Sequence, residues 1–443
     1  MTKPILQLLA ALVFCVVFAS RPSFAENLGA SERSAALLQI IDEIKQHYVV
    51  KDRVAAIVDV LTSQHAAGFY DVESPAEFAR RISLDLERVS ADGHLYLKQD
   101  PDRYAAMTEH DEADQALAAL LEKQAVLSNS GIEQLEILPG NVRLMRLSQF
   151  RWSPRRTPRD HADAARFLVE GDALIVDLRD NSGGSSDAAD SLLERLLPPD
   201  PLRPRSKQSR QRNRRLIGKP IFVLINAGTG SAAEAFAYQA QAERVATIVG
   251  MPSYGAANNT RFTPIPPSFV LSASSNIPIN PITGTNWEGV GVKPDLSVSS
   301  DLALPAAHAK AIALLAAKPG LSAAQAAAYQ WALAPPSAIV AKVSVPASKR
   351  RRYAGCFGVI ALQLRDGKLY FSRHDRPKRP QQVELVPLDA NGQFLAPGYK
   401  DLRVKVEATG ITLMHGSADA VERFERGTCD SGDSGGVHSG HAL

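Results

Sequence analysis

The run Ile221-Phe-Val-Leu-Ile225 passes directly into Asn226-Ala-Gly-Thr-Gly-Ser-Ala-Ala-Glu234. An unbroken apolar run of this length, closed by glycines, reads as a buried strand. The glycines let the chain turn sharply, and the Ser-Ala-Ala-Glu stretch opens a helix. A strand that ends in such a turn aims a hydroxyl, that of Ser231, and several free backbone N–H groups at one point. An acyl-transfer enzyme places its nucleophile and part of its oxyanion hole in this way.

The surrounding pattern sets the fold class. Val142 to Leu147 and Ala173-Leu-Ile-Val-Asp-Leu178 read as strands, and so does Ala246 to Val249. Asp160 to Glu170 and Asp187 to Leu197 read as helices between them. Strands alternating with helices predict an α/β layer with buried strands. Phe269 to Ser272 adds another strand, and the alanine-rich stretches Ala303 to Ala317 and Ala323 to Ala332 are expected to close this region as helices. Upstream, Leu37, Ile40, Ile41, Ile44 and Tyr48 recur at helical spacing. Ser74-Pro-Ala-Glu77 is a capping box with proline at the first helical position. Downstream, Pro335 and Pro336 mark a boundary. Residues 350 to 427 then read as short alternating strands with hairpin signals at Asp366-Gly367 and Asn391-Gly392. The expected division is a signal peptide over 1–25, an N-terminal helical bundle over 26–105, a catalytic core over 106–335, an all-β module over 336–429 and a Gly/Ser-rich, disordered tail over 430–443.

With 443 residues, the chain is long enough for several domains. Lys3, the apolar run Ile5 to Ala19 and the small residues of Ser23-Phe-Ala25 predict an export signal cut after Ala25. Phe14 before Cys15 does not suit a lipoprotein site. The run is too short for a stable span, so no membrane insertion is expected once it is removed. Its loss takes away Lys3 and Arg21 and no acid, leaving a near-neutral exported chain whose charge does not suggest a nucleic-acid partner. Two cysteines remain, Cys356 and Cys429; in an oxidising compartment they predict one bridge, with two buried free thiols as the alternative.

Ser231 needs a base, and histidine is the best default near neutral pH. His94 follows Asp92-Gly93 in a helix-to-strand turn, where a loop can present it into a cleft or simply close a turn. Asn181-Ser-Gly-Gly184 ends a buried strand, so the N–H of Gly183 or Gly184 is a candidate second oxyanion donor beside that of Ala232. Glu288, in Trp287-Glu-Gly-Val-Gly-Val292, is a carboxylate that could orient an imidazole or stand exposed in a loop. Asp295 reads as a turn cap. Gly432-Asp-Ser-Gly-Gly436 spells a chymotrypsin-like nucleophile loop, but it lies in a polar tail without the chain to support it, so Ser434 is set aside. Arg203 to Lys219 is basic and reads as a solvated loop, with contact to an acidic substrate or a phospholipid surface as the alternative. No His-Glu-x-x-His, paired Cys-x-x-Cys or phosphate loop is present, and neither cofactor nor metal is expected.

Three segments together resemble the tail-specific or C-terminal processing serine peptidases and their relatives, tricorn-core protease and interphotoreceptor retinoid-binding protein. They are Leu174 to Gly184, Val223 to Glu234 and Trp287 to Asp295, and Asp92-Gly-His94 after a helical bundle adds a fourth. The resemblance covers roughly residues 35 to 335. It implies a ClpP/crotonase-like core of β-β-α units beside the bundle. One catalytic design of that family uses a lysine in a Thr-Phe-Gly-Lys-like turn, which falls here on Ser253-Tyr-Gly-Ala256. Alanine accepts no proton, so the resemblance points to the tricorn-like design, with Ser231 as nucleophile, His94 as general base and Glu288 as orienter. Where that design has a serine before the histidine, this chain has Gly93. The β module resembles small lipocalin-like domains through Tyr353-Ala-Gly-Cys-Phe-Gly358 and Asp366-Gly-Lys-Leu-Tyr370.

The expected activity is that of an exported serine hydrolase cleaving peptide bonds in a peptide or protein substrate. A carrier of an apolar ligand on the same fold and an esterase are the rivals.

Overall fold

The computed structural model describes residues 27–108, 113–196, 214–375, 382–399, 401–416 and 420–428. The expected signal peptide, Cys15, most of the basic loop, Cys429 and the tail with Ser434 lie outside them. The fold is mixed α/β, with four sheets among the described residues, and the chain divides into two compact units.

The first unit takes residues up to Ala113 together with Thr260–Ser275. Helices α1 (Ala30–His47), α2 (Val54–Ala66) and α3 (Pro75–Ser90) form where the apolar spacing predicts them. The Ser74 side chain accepts from Glu77 N–H at 3.4 Å, so the capping box forms at its first bond. Ile40, Ile44, Phe78, Ile82 and Leu86 are buried together. Against them lies an antiparallel sheet of β1 (Tyr96–Gln99), β8 (Phe269–Asn276) and β7 (Asn259–Ile265), with β8 in the middle. Phe269 and Leu271 enter the helical core, with the Phe78 and Phe269 rings 5.5 Å apart. The Phe269 strand therefore pairs with Tyr96–Gln99 and not with the α/β layer. Pro101–Thr108 forms α4 in this unit, and α5 (Ala113–Leu127) opens the second.

The second unit is built on a six-stranded sheet in the order β2-β3-β4-β5-β6-β9. Its strands are β2 (Ile132–Leu138), β3 (Val142–Leu147), β4 (Ala173–Asp177), β5 (Ile221–Ile225), β6 (Thr247–Gly250) and β9 (Leu296–Ser297). From β3 onward neighbours are parallel, and β2 is an antiparallel edge. Alternate residues of β4 and β5 enter two different cores. Leu174, Val176, Val223 and Ile225 pack toward α6 (Thr157–Leu168), α7 (Ser186–Leu196) and α8 (Ala232–Ala242). Ile175, Phe222 and Leu224 pack toward α9 (Ser300–Ala316) and α10 (Ala323–Val340). Both faces are covered, which is why these strands read as unbroken apolar runs.

Helix α10 runs through Pro335 and Pro336 to Val340, where the sequence predicts a boundary. Proline has no N–H for the carbonyl four residues back, and Pro335 leaves that of Trp331 without a helical donor. The Arg403 guanidinium donates to that carbonyl and lies 3.5 Å from the Trp331 ring centroid. Burial holds this guanidinium down at about 10. After α11 (Ala347–Tyr353) the described residues form nine antiparallel strands in sequential order, split into sheets of four and five. Asp366 and Gly367 both take positive φ, as the tight hairpin between Ile360–Arg365 and Lys368–Arg373 requires. Phe357, Phe371, Phe394 and Leu413 fill the interior. Cys356 is disulfide-bonded, and its carbonyl accepts from Gly427 N–H at 3.0 Å.

His161 on α6 is fully buried, with Nδ1 3.3 Å from Ser191 Oγ and Nε2 without a partner. Burial and the nearby Arg195 push it down to about 4. The unfolded chain protonates at about 6.5, so it binds more protons than the native chain between these values, and stability falls as pH drops through that window. His161 alone accounts for a loss of roughly 3 kcal/mol from pH 7 to pH 4. Urea midpoints across this range should fall less steeply for His161→Leu than for the parent; parallel profiles would remove His161 as the source.

Candidate active site

Strands β4 and β5 are parallel neighbours, and their carboxyl ends carry the two glycine-containing turns. Open α/β sheets bind ligands in this position. Asn226 ties the turns together. Its Oδ1 accepts from Asp180 N–H at 2.9 Å and Gly228 N–H at 3.0 Å, and its Nδ2 donates to Asp180 Oδ1 at 2.9 Å. Thr229 Oγ1 donates to Leu178 O at 2.8 Å, and Gly230 N–H donates to Asn181 O at 2.9 Å.

Ser231 opens α8 with φ 49° and ψ −117°. An L-residue in that region carries strain of order 1–3 kcal/mol, which persists only where the surroundings enforce it. The enforcing group is Glu234, which is fully buried. Its carboxylate accepts from Ser231 N–H at 2.8 Å, Ser253 Oγ at 2.6 Å, Gly255 N–H at 2.6 Å and Ala256 N–H at 2.9 Å. One carboxylate thus welds the nucleophile turn to the Ser253–Ala256 turn. The Ser-x-x-Glu spacing of a helix cap is the sequence signal for Glu234, but its reach to residues 253–256 has no local signature.

Gly183 lies against Ser231: a Cβ there would sit 2.7 Å from Ser231 Cβ and 3.0 Å from Ala232 N. With φ 103° besides, only glycine fits without a shift. The N–H of Gly183 is already given to Asn181 Oδ1 at 2.9 Å. Among the hydrogen bonds of the described residues, none uses the N–H of Ala232 or of Gly184. The structure thus brings Ser231, Ala232, Gly183 and Gly184 together at one end of the sheet.

Glu288 lies on a segment stacked on residues 253–258. Gly289 N–H donates to Gly255 O at 2.9 Å, and a Cβ on Gly291 would reach 2.3 Å from Ser253 O. Glu288 Oε2 accepts from Ala257 N–H at 2.6 Å and Asn258 N–H at 2.9 Å, which fixes the carboxylate in place. Beside it, Asn258 Oδ1 and Trp287 Nε1 are buried without hydrogen-bond partners. Asp295 caps β6, its Oδ2 accepting from Ile248 N–H at 2.7 Å.

His94 belongs to the first unit. It closes the turn from α3 into β1, where Ala91 takes positive φ. Asp92 Oδ1 accepts from His94 N–H at 2.8 Å, Tyr48 Oη donates to Asp92 Oδ2 at 2.9 Å and Ser272 Oγ donates to His94 O at 2.7 Å. The imidazole is buried, its Nδ1 has no hydrogen-bond partner, and burial lowers its pKa against the opposing pull of Asp92. Among the described residues no group of three His, Cys, Asp or Glu side chains is placed to hold a metal ion. No described helix is long and apolar enough to cross a membrane.

Residues 141–298, which contain both turns and Glu288, match the model of peptidase family S41. Residues 30–134, which contain His94, match the model described as the N-terminal domain of Peptidase_S41 in eukaryotic IRBP. The chain belongs to peptidase family S41. Among curated proteins it is 33% identical over 136 residues to the carboxy-terminal-processing protease of Bartonella bacilliformis, a match spanning 29% of this chain and 31% of that one. The aligned part is thus under a third of that relative's length. Among solved structures, a lipoprotein from Streptococcus agalactiae overlaps with TM-score 0.43 at 14% identity, covering 64% of this chain and 96% of that one. The photosystem II D1 C-terminal processing protease overlaps with TM-score 0.38 at 14% identity, covering 62% and 95%.

Glu234→Gln keeps the volume but turns an NH₂ toward N–H donors. It should lower unfolding free energy by about 3 kcal/mol. Urea denaturation at pH 7 checks this, and a loss below about 1 kcal/mol would mean that the carboxylate does not hold the two turns together.

Proposed function

We propose that this chain is a serine peptidase that cleaves a peptide bond through an acyl-enzyme at Ser231. The observation that carries the reading is the strained Ser231 backbone beside two N–H groups, those of Ala232 and Gly184, that no hydrogen bond among the described residues uses. Membership of a peptidase family supports the choice of substrate bond. We read the second unit's core as ClpP/crotonase-like, the strands after α11 as a lipocalin-like module, and residues 1–25 as an export signal. The division into bundle, core and β module at 105, 335 and 429 belongs to the same reading, as does a bridge from Cys356 to Cys429.

In this mechanism Ser231 Oγ attacks the carbonyl carbon while its proton passes to His94 Nε2. The oxyanion sits between the N–H groups of Ala232 and Gly184; Gly183, whose own N–H serves Asn181, supplies the close approach. Collapse breaks the C–N bond, and His94 gives its proton to the leaving nitrogen. Water then attacks the ester, losing a proton to His94, and Ser231 Oγ leaves and is reprotonated. Glu288 orients His94 in this assignment, its Oε2 held by the N–H groups of Ala257 and Asn258.

A fluorophosphonate probe should label the parent and not Ser231→Ala. Peptide cleavage should fall by several orders of magnitude in Ser231→Ala and in His94→Ala, and the double variant should lose little more than either alone. Losses that multiply would separate the two residues into independent roles. An apolar carrier would instead retain a lipid-like ligand and leave the probe unreacted.

Burial lowers the His94 pKa, so its neutral, proton-accepting form extends to more acid pH than for an ordinary histidine. The acid limb of kcat/KM should therefore lie below about 6.5; a limb above neutrality would rule His94 out as the base.

A further inference from the structure

The loop Asn276-Ile-Pro-Ile-Asn-Pro-Ile-Thr-Gly-Thr-Asn286 joins β8 to the Glu288 segment and carries no charged residue. It holds three isoleucines outward: Ile277, Ile279 and Ile282 are 47%, 58% and 50% exposed. The loop is held in this shape by its own bonds. Asn280 N–H donates to Thr285 O at 2.9 Å, Asn280 Oδ1 accepts from Ile282 N–H at 2.8 Å, and Asn286 Nδ2 donates to Pro278 O at 2.9 Å. It is pinned to α8, the helix that Ser231 opens, by Asn280 Nδ2 on Gln239 Oε1 at 2.9 Å and by Tyr238 Oη against Thr283 Oγ1 at 2.7 Å. Pro278 and Pro281 stiffen the backbone further. A loop this firmly fixed does not fold its isoleucines inward, and a cluster of exposed apolar side chains marks an interaction surface.

The apolar exposure continues toward the nucleophile. Val290 is 62% exposed and Tyr254 is 51% exposed. Their segments meet where Gly255 packs against the Val290 backbone, and Tyr254 N–H donates to Thr229 O at 2.9 Å, just before Ser231.

We propose that the Asn276–Asn286 loop is a docking ridge for an apolar stretch of a polypeptide substrate, a reading that rests on Ser231 being the nucleophile of a peptidase. Two features choose this occupant. The ridge runs without a break in sequence into the Glu288 segment and sits on the helix of Ser231, so a chain lying along it leads to the reacting serine. It also lacks Lys and Arg from Asn276 to Val292, so it offers no cation to an anionic bilayer.

The test uses full-length protein carrying Ser231→Ala, so that nothing is cleaved, and two fluorescent unstructured peptides. One has Ile, Leu and Val at alternate positions, and the other has Ser in their place. Fluorescence anisotropy should show preference for the apolar peptide. Adding Ile277→Asn, Ile279→Asn and Ile282→Asn should weaken that peptide's Kd by about tenfold or more. Adding instead Leu127→Asn, at a 77% exposed position on α5, should leave it as before. Circular dichroism confirms that each variant is folded. The ridge is overturned if the triple change leaves the apolar peptide's Kd intact, or if the two peptides bind alike. It is equally overturned if sedimentation shows that the three isoleucines hold two copies of the chain together while peptide affinity stays the same. Failure of the parent to react with a fluorophosphonate would remove the peptidase reading and leave the binding comparison to decide the ridge on its own.

Discussion

The buried carboxylate of Glu234 is the interaction on which the site's geometry depends. It takes four hydrogen bonds from two turns distant in sequence, and no cation shares in them. Oriented N–H dipoles replace the water a carboxylate loses on burial, and they do so only while both turns keep their shape. The same bonds hold Ser231 in a conformation that the backbone would otherwise leave. The carboxyl ends of β4 and β5, the stacked segments 253–258 and 287–291, and the start of α8 all meet around this group. Ala256, which the resemblance sets at the lysine position of a Ser–Lys design, is buried, and its N–H is one of Glu234's donors.

Much of this was readable from the chain itself. The strands of the second unit declare themselves because both of their faces are covered, which writes an unbroken apolar run. The glycines at 183 and 184 were readable as a turn, yet only the structure shows that Asn181 Oδ1 already uses the first N–H. The pairing of Tyr96–Gln99 with Phe269–Ser272 was not readable. A strand's partner so far along the chain leaves no mark in the local pattern, and the sequence groups Phe269 with the α/β layer it follows. His94 was legible as the residue of an Asp-Gly turn; the roles of Tyr48 and Ser272 in bracing that turn depend on contacts from elsewhere in the first unit.

The proline pair shows a local rule set aside by a distant residue. Pro335 and Pro336 should stop a helix, because each removes a donor and crowds the preceding turn. Here Arg403 supplies the donor that Pro335 lacks and covers the Trp331 ring with its guanidinium. The cation is buried and has Nε unbonded, so it tolerates desolvation for the sake of that carbonyl and ring.

This arrangement bears on how the C-terminal strands can be handled as a piece. Severing the polypeptide at the two imino acids would cut α10 in mid-length and strip Arg403 of its indole cushion and its oxygen acceptor at once. A transplant of the strands to another carrier would have to begin at Ser322, whose side chain accepts from Gln325 N–H and starts that helix.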